Sequence, residues 1–128
     1  MCIRDSVLPD TRYVLIDEDG HLVPGDFDRI AGFALLRRVL DEEELLLIAV
    51  RPESRAKGLG GRLIERAVET AADLGCSKIF LEMRDDNPAR HLYHAHGFRP
   101  VGVRRDYYSG RDGKRRNAIT FMRAINHL

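Results

Sequence analysis

The chain has 128 residues, a net charge of +1, and 44% hydrophobic against 32% charged residues. That length fits one domain, which buries roughly two-thirds of its unfolded surface and needs no staple to hold a core. A charge so near zero gives no pull towards nucleic acid, a membrane surface or an acidic partner. The two cysteines, Cys2 and Cys76, form no C-x-x-C pair and have no histidine at zinc-site spacing. A disulfide between them stays open, and a reduced, cytoplasmic chain is the plainer reading. The longest apolar run, Leu45 to Val50, is too short to span a bilayer, and the amino terminus lacks a secretory pattern. Met1 to Ser6 follows no structural logic and looks like translated adapter sequence. It is read as a non-native tail, with the natural chain expected to start further upstream.

Tyr13 to Ile16 is a short β-rich run that ends in the turn residues Asp17 to Gly20. A loop or lengthened hairpin connection, with Pro24-Gly25 inside it, leads from His21 to Asp28. Ile30 to Val39 and Glu44 to Val50 read as further strands, so that three strands make an antiparallel meander. The unbroken apolar run within Glu44 to Val50 predicts a strand covered on both faces. Pro52 ends it, and a Gly-rich turn leads into a helix from about Gly58 to Leu74. There Leu59, Leu63, Ile64, Ala67, Val68, Ala71 and Leu74 fall on one face, and Gly75 stops the helix. Lys78 to Met83 is the next strand. Pro88 to His96 reads as a shorter helix, with Asn87 as its cap and Gly97 after its end. A hairpin closes the chain: Val101 to Tyr108, a turn through Asp112-Gly113, and Ala118 to Arg123. The order predicts a single α/β domain with a mixed sheet.

The chemistry points to Arg55-Ala56-Lys57-Gly58-Leu59-Gly60-Gly61, between a buried strand and an amphipathic helix. Exposed backbone N–H groups and a helix N-terminus suit a phosphate or pyrophosphate. No Gly-Lys-Ser/Thr follows, so this is not a nucleoside-triphosphate loop. Leu63 stands where a dinucleotide fingerprint would need its third glycine. Taken alone, the stretch is equally a tight turn with a helix cap.

Its context carries more. Val50 to Gly60 resembles the acetyl-CoA motif of the GNAT superfamily, Gln/Arg-x-x-Gly-x-Gly/Ala, with Arg55, Gly58 and Gly60 in the core places. The likeness continues through Leu81 to Arg84, Asn87, Leu92-Tyr93 and Gly97-Phe98. Arg104 to Tyr108, Asp112-Gly113 and Ala118-Ile119 are similar to the RimI-like subgroup, which acetylates protein amino termini. Together these motifs span roughly Ile30 to Met122.

The resemblance implies the acyl-CoA N-acyltransferase fold, a mixed central sheet flanked by helices, and acetyl transfer from acetyl-CoA to a primary amine without a metal. The backbone of Ile48, Ala49 and Val50 would hold the pantetheine arm, with Val50 polarising the thioester carbonyl. Arg55, Ala56, Lys57, Gly58, Leu59, Gly60 and Gly61 would wrap the pyrophosphate, and Asn87 would touch the cofactor arm. Glu82 would act as general base and Tyr93 as general acid, because a protonated amine must lose a proton before attack and a departing thiolate must gain one. The implied acceptor is a protein amino terminus, such as a ribosomal-protein alanine. Rivals are a small amine (polyamine, amino acid or aminoglycoside) or a catalytically silent acyl-CoA-binding module. No membrane or nucleic-acid partner is implied.

Each role has a plainer competitor. Glu82 could merely pair with Arg84 or with an arginine of the hairpin, Tyr93 could only pack on the core, and Asn87 could only cap. The chain also departs from the family. Ala56 stands where glycine is common, and Asn117 where the subgroup often carries an acid. The segment from Asn87 to Tyr93 is shorter than usual, which makes Asp86 a rival for Asn87's place. The family's first strand and two helices have no counterpart ahead of Tyr13. His91, His94 and His96 read as solvated helix residues, Arg111 to Arg116 as a solvated hairpin, and Cys76 as packed.

Overall fold

Alternation along Thr11–Ile16 (β1), Gly32–Val39 (β2) and Glu42–Val50 (β3) builds the expected antiparallel meander. The structure, a computed structural model, describes residues 10–23, 29–109 and 112–125. The tail at 1–6, Cys2, the Pro24-Gly25 connection and Arg111 lie outside the described residues. A single 3₁₀ turn, Pro52–Ser54, follows β3 and leads to helix α1, Leu59–Asp73. Strand β4 (Lys78–Arg84), helix α2 (Arg90–Ala95), and the hairpin strands β5 (Arg99–Ser109) and β6 (Arg115–Ala124) complete the chain. The sheet order is β1-β2-β3-β4-β6-β5. Only the β3–β4 pair is parallel, so the sheet is mixed as expected.

Helix α1 crosses between those two parallel strands and packs its apolar stripe on the sheet. Leu59, Leu63, Ile64, Ala67, Val68 and Ala71 are all buried, whereas Leu74, expected with them, is the C-cap residue and is half exposed. They join Ile16, Leu36, Ile79, Leu81 and Phe98 in one core. Its end is closed by paired bonds, Gly75 N–H to the Ala72 carbonyl and Cys76 N–H to that of Ala71, each 3.0 Å. Cys76 is packed in the core, as its sequence context suggests.

Beneath α1 lies a polar knot that sequence reading does not reveal. Arg12 is 9% exposed and Glu43 1%. The Arg12 guanidinium donates to both Glu43 oxygens, at 2.8 and 2.7 Å, and to Thr70 Oγ1 at 2.8 Å. Burial of such charges is tolerable only because every donor and acceptor is met. The knot ties β1, β3 and α1 together.

The expectation that β3 is covered on both faces is overturned. Leu46 is 38% exposed and Leu47 49%. The cause is topological: β3 pairs with β4 only from Glu42 to Glu44, opposite Lys78 to Phe80. Beyond that point β4 leaves, and no strand among the described residues replaces it. Helix α2 is also shorter than the Pro88 to His96 expected. Asn87 Oδ1 accepts the Ala89 N–H at 2.9 Å, capping a turn that precedes the helix.

Candidate active site

The opening between β3 and β4 begins at an irregularity. Leu35 pairs with Leu47 and Leu36 with Leu45, so Leu46 is an extra residue on β3. Such a bulge bends a strand and sharpens its twist, and it falls where β4 departs. The outer edge of β3 from Leu45 to Val50 therefore has no strand partner among the described residues. The apolar run seen in the sequence is a cleft wall.

Two adjoining cavities fill the opening. The first, about 400 Å³, is lined by Ile48, Ala49 and Val50 from β3, by Ser54, Arg55, Ala56 and Gly58 from the turn, and by Leu59, Gly60 and Leu92. Ala56 has φ 63° and Gly58 φ 78°, both left-handed. Two such residues so close together curl the backbone into a concavity of N–H groups that suits an anion. The first intrahelical bond of α1 runs from Arg62 N–H to the Gly58 carbonyl. The N–H groups of Leu59, Gly60 and Gly61 thus have no intrahelical acceptor, and the helix dipole adds positive potential there. The turn can hold a phosphate, and the bare β3 edge can hydrogen-bond an extended amide chain.

The second cavity, about 250 Å³, shares Ile48 with the first and is lined also by Leu45 to Leu47, Leu81, Glu82, Met83, Asn87, Ala89 and Tyr93. Glu82 from the end of β4, Asn87 from the turn after it and Tyr93 from α2 thus line one cavity. The competing reading of Glu82, a pair with a hairpin arginine, is realised as well. Arg104 Nε and Nη2 both donate to Glu82 Oε2, at 3.1 and 2.5 Å. The Tyr93 ring packs edge-on against Phe98, with centroids 5.6 Å apart. Burial pushes the Tyr93 hydroxyl above its usual range, so it stays protonated at neutral pH and can donate.

Asp86, the rival of Asn87, is engaged elsewhere. It accepts from Arg84 Nε and Nη2, at 2.9 and 2.7 Å, and from Arg116 Nε at 3.0 Å. The hydrogen bond from Arg84 foremost holds its carboxyl far below the usual range. Of the two, only Asn87 lines the cavity.

Two residues grouped with the loop in the sequence do not line the first cavity. Lys57 Nζ lies 3.6 Å from Glu18. Gly61 faces His96, where a Cβ would come within 2.6 Å of Nε2. His96 is accordingly not a solvated residue: its Nδ1 lies 2.6 Å from Glu65 Oε2. His91 and His94 are exposed as expected. Sequence reading also missed Ser54 and Leu92 in the first cavity. Ser54 directly precedes Arg55 in the motif, a signal that could have found it. Leu92 belongs to the Leu92-Tyr93 motif, which was a signal too, although only tertiary packing brings it against the turn.

The profile of the Acetyltransferase (GNAT) family matches residues 4–98. Among curated proteins, the [ribosomal protein bS18]-alanine N-acetyltransferase of Haemophilus influenzae is 32% identical over 81% of this chain and 84% of its own length. The enzyme of the same name from Escherichia coli K12 is 38% identical over 67% of this chain, which spans 59% of that relative. The crystal structure of the ribosomal-protein-S18-alanine N-acetyltransferase from Escherichia coli superposes with a TM-score of 0.76 at 30% identity, covering 97% of this chain and 75% of that one. With its parted strands, its N–H-rich turn and these matches, the chain belongs to the GNAT acetyltransferase family.

Proposed function

We propose that this chain transfers the acetyl group of acetyl-CoA to the α-amine of a protein amino terminus, an alanine of a ribosomal protein being the acceptor that its relatives' names favour. The observation that carries the reading is the parting of β3 and β4 beside the N–H-rich start of α1. The pyrophosphate would sit against Arg55, Ala56, Gly58 and Gly60, and the pantetheine arm would run along Ile48 to Val50 towards the second cavity.

In this reading Glu82 takes a proton from the acceptor. An α-ammonium has a pKa of about 8, so at neutral pH most of it must be deprotonated before it can attack. The amine nitrogen then forms its bond to the thioester carbon while backbone N–H groups near Val50 steady the carbonyl oxygen. The C–S bond breaks, and Tyr93 gives its hydroxyl proton to the leaving sulfur. Asn87 steadies the arm between these groups.

Thiol release from acetyl-CoA, measured with a synthetic peptide that begins with alanine and with polyamine and aminoglycoside acceptors, tests the proposal. Turnover is expected with the peptide, and mass spectrometry should locate the acetyl group on its first nitrogen. Glu82→Gln should abolish most turnover, and Tyr93→Phe should slow it roughly 10²-fold. Preference for a small amine would overturn the acceptor, and acetyl-CoA binding without turnover on any amine would overturn the activity.

A further inference from the structure

Among the described residues, Glu82 shares its carboxylate with one partner only, and in an uneven way. Both Arg104 donors converge on Oε2, at 3.1 and 2.5 Å, while Oε1 accepts no hydrogen bond. Arg104 is on β5 and Glu82 on β4, with β6 between them. The guanidinium therefore reaches across about 9–10 Å of sheet to make this contact.

The local chain is shaped to hold it there. Arg104 pairs with Ala118 and Tyr108 with Arg116, so Arg105, Asp106 and Tyr107 face Asn117 alone. Asp106 is left-handed at φ 54°, and Asn117 Oδ1 pins its N–H at 3.0 Å. This bulge turns Tyr107 back, so that the Arg104 guanidinium lies 4.2 Å from the ring centroid. Tyr108 meets Tyr107 edge-on, with centroids 5.1 Å apart. An aromatic face and a carboxylate thus grip the guanidinium from two sides.

An exposed ion pair of this kind contributes only about 0–1 kcal/mol to stability, so the fold does not account for the arrangement. We propose that Arg104 is a positioning residue for Glu82: it saturates Oε2 and leaves Oε1 as the oxygen open to the acceptor's ammonium. The inference rests on the reading of Glu82 as general base. It also explains why Glu82 can be both an ion-pair partner and a proton acceptor, since the two jobs fall on different oxygens.

The test compares Arg104→Ala, Arg105→Ala and Glu82→Gln in turnover of acetyl-CoA with a peptide beginning with alanine. Arg104→Ala should lower kcat roughly 10- to 100-fold, the scale of a misplaced catalytic group. The KM for acetyl-CoA and the thermal midpoint should be unchanged. Arg105→Ala, next along the chain, should match the unmodified protein. Millimolar methylguanidinium should restore part of the Arg104→Ala rate and none of the Glu82→Gln rate. An Arg104→Ala variant with full kcat beside an inactive Glu82→Gln overturns the inference. So does a loss of kcat that comes with a lowered midpoint and no rescue, which marks a structural role. Full activity of Glu82→Gln overturns the base reading instead.

Discussion

Ala56 is where a single residue's backbone bears most directly on binding. Its φ of 63° lies in the left-handed region, which costs an L-residue with a Cβ about 1–2 kcal/mol. Gly58, two residues on, adopts φ 78° without that cost. Ala56→Gly should relieve the strain, while the freer unfolded chain gives back about 0.4–1 kcal/mol. A small rise in thermal midpoint is therefore expected. The larger effect should be on acetyl-CoA affinity, because the relaxed turn can adjust its N–H groups to phosphate. Calorimetric titration and a thermal melt check both, and a lowered midpoint would show that residue 56 is not left-handed in solution.

At the scale of elements, α1 and α2 are joined by a small charged clamp. Glu65 on α1 meets His96 Nδ1 at 2.6 Å and Arg123 Nη1 at 3.0 Å, while Arg123 also donates to the His96 carbonyl at 2.8 Å. The clamp keeps α2 close enough for Leu92 to stand within 3.3 Å of a Cβ built on Gly60. Burial opposes ionisation of Glu65, but hydrogen bonds from His96 and Arg123 outweigh it and hold the carboxyl below its ordinary 4.5. A lowered folded pKa gives stability that is present above the unfolded value and lost as pH falls through the folded one. Thermal midpoints taken from about pH 6 down to about pH 3 should fall less steeply in Glu65→Gln than in the unmodified protein. The effect should be modest, since Glu65 is partly exposed and solvent screens it. Equal slopes would mean that the clamp is not charged.

The clamp also marks the border of what the sequence made legible. The strands and both helices were largely legible, because α1 alternates apolar and charged faces, Pro52 ends β3, and Gly75 and Gly97 follow the two helices. The turn itself was legible because glycine at position 58 has a local backbone reason, a left-handed φ. Contacts set only by tertiary packing were not. Leu46 and Leu47 look like core in any local window, and only the departure of β4 makes them a cleft wall. Likewise nothing near His96 in the sequence announces Glu65, and nothing near Glu82 selects Arg104 from the hairpin's other arginines.

At the scale of the molecule, the sheet is two three-stranded halves that pair, among the described residues, only at Glu42–Glu44 against Lys78–Phe80. The cleft needs that narrow junction, since longer pairing would close it. Helix α1, which packs on strands of both halves, must then carry much of the cohesion across the junction. Glu43 sits in the middle of it, and its carboxylate takes both forks of Arg12, whose third donor reaches Thr70 on α1. Its neighbour Glu44 pairs with Arg37 at a partly exposed site on the rim. These two adjacent acids should behave very differently. Glu43→Ala leaves a buried guanidinium without its counter-charge, a change that typically costs about 3–5 kcal/mol. Glu44→Ala removes an outlying pair and should cost about 0–1 kcal/mol. Total stability for a domain of this kind is about 5–15 kcal/mol, so Glu43→Ala should approach unfolding while Glu44→Ala melts almost normally. Urea unfolding of the two variants in parallel checks the contrast. Equal losses would mean that the Arg12–Glu43 knot is solvated. Saturating acetyl-CoA should recover part of the large loss in Glu43→Ala if that variant keeps its cleft. At one hundred times the dissociation constant, binding to the folded state alone adds about 2.7 kcal/mol, enough to offset half or more of the defect.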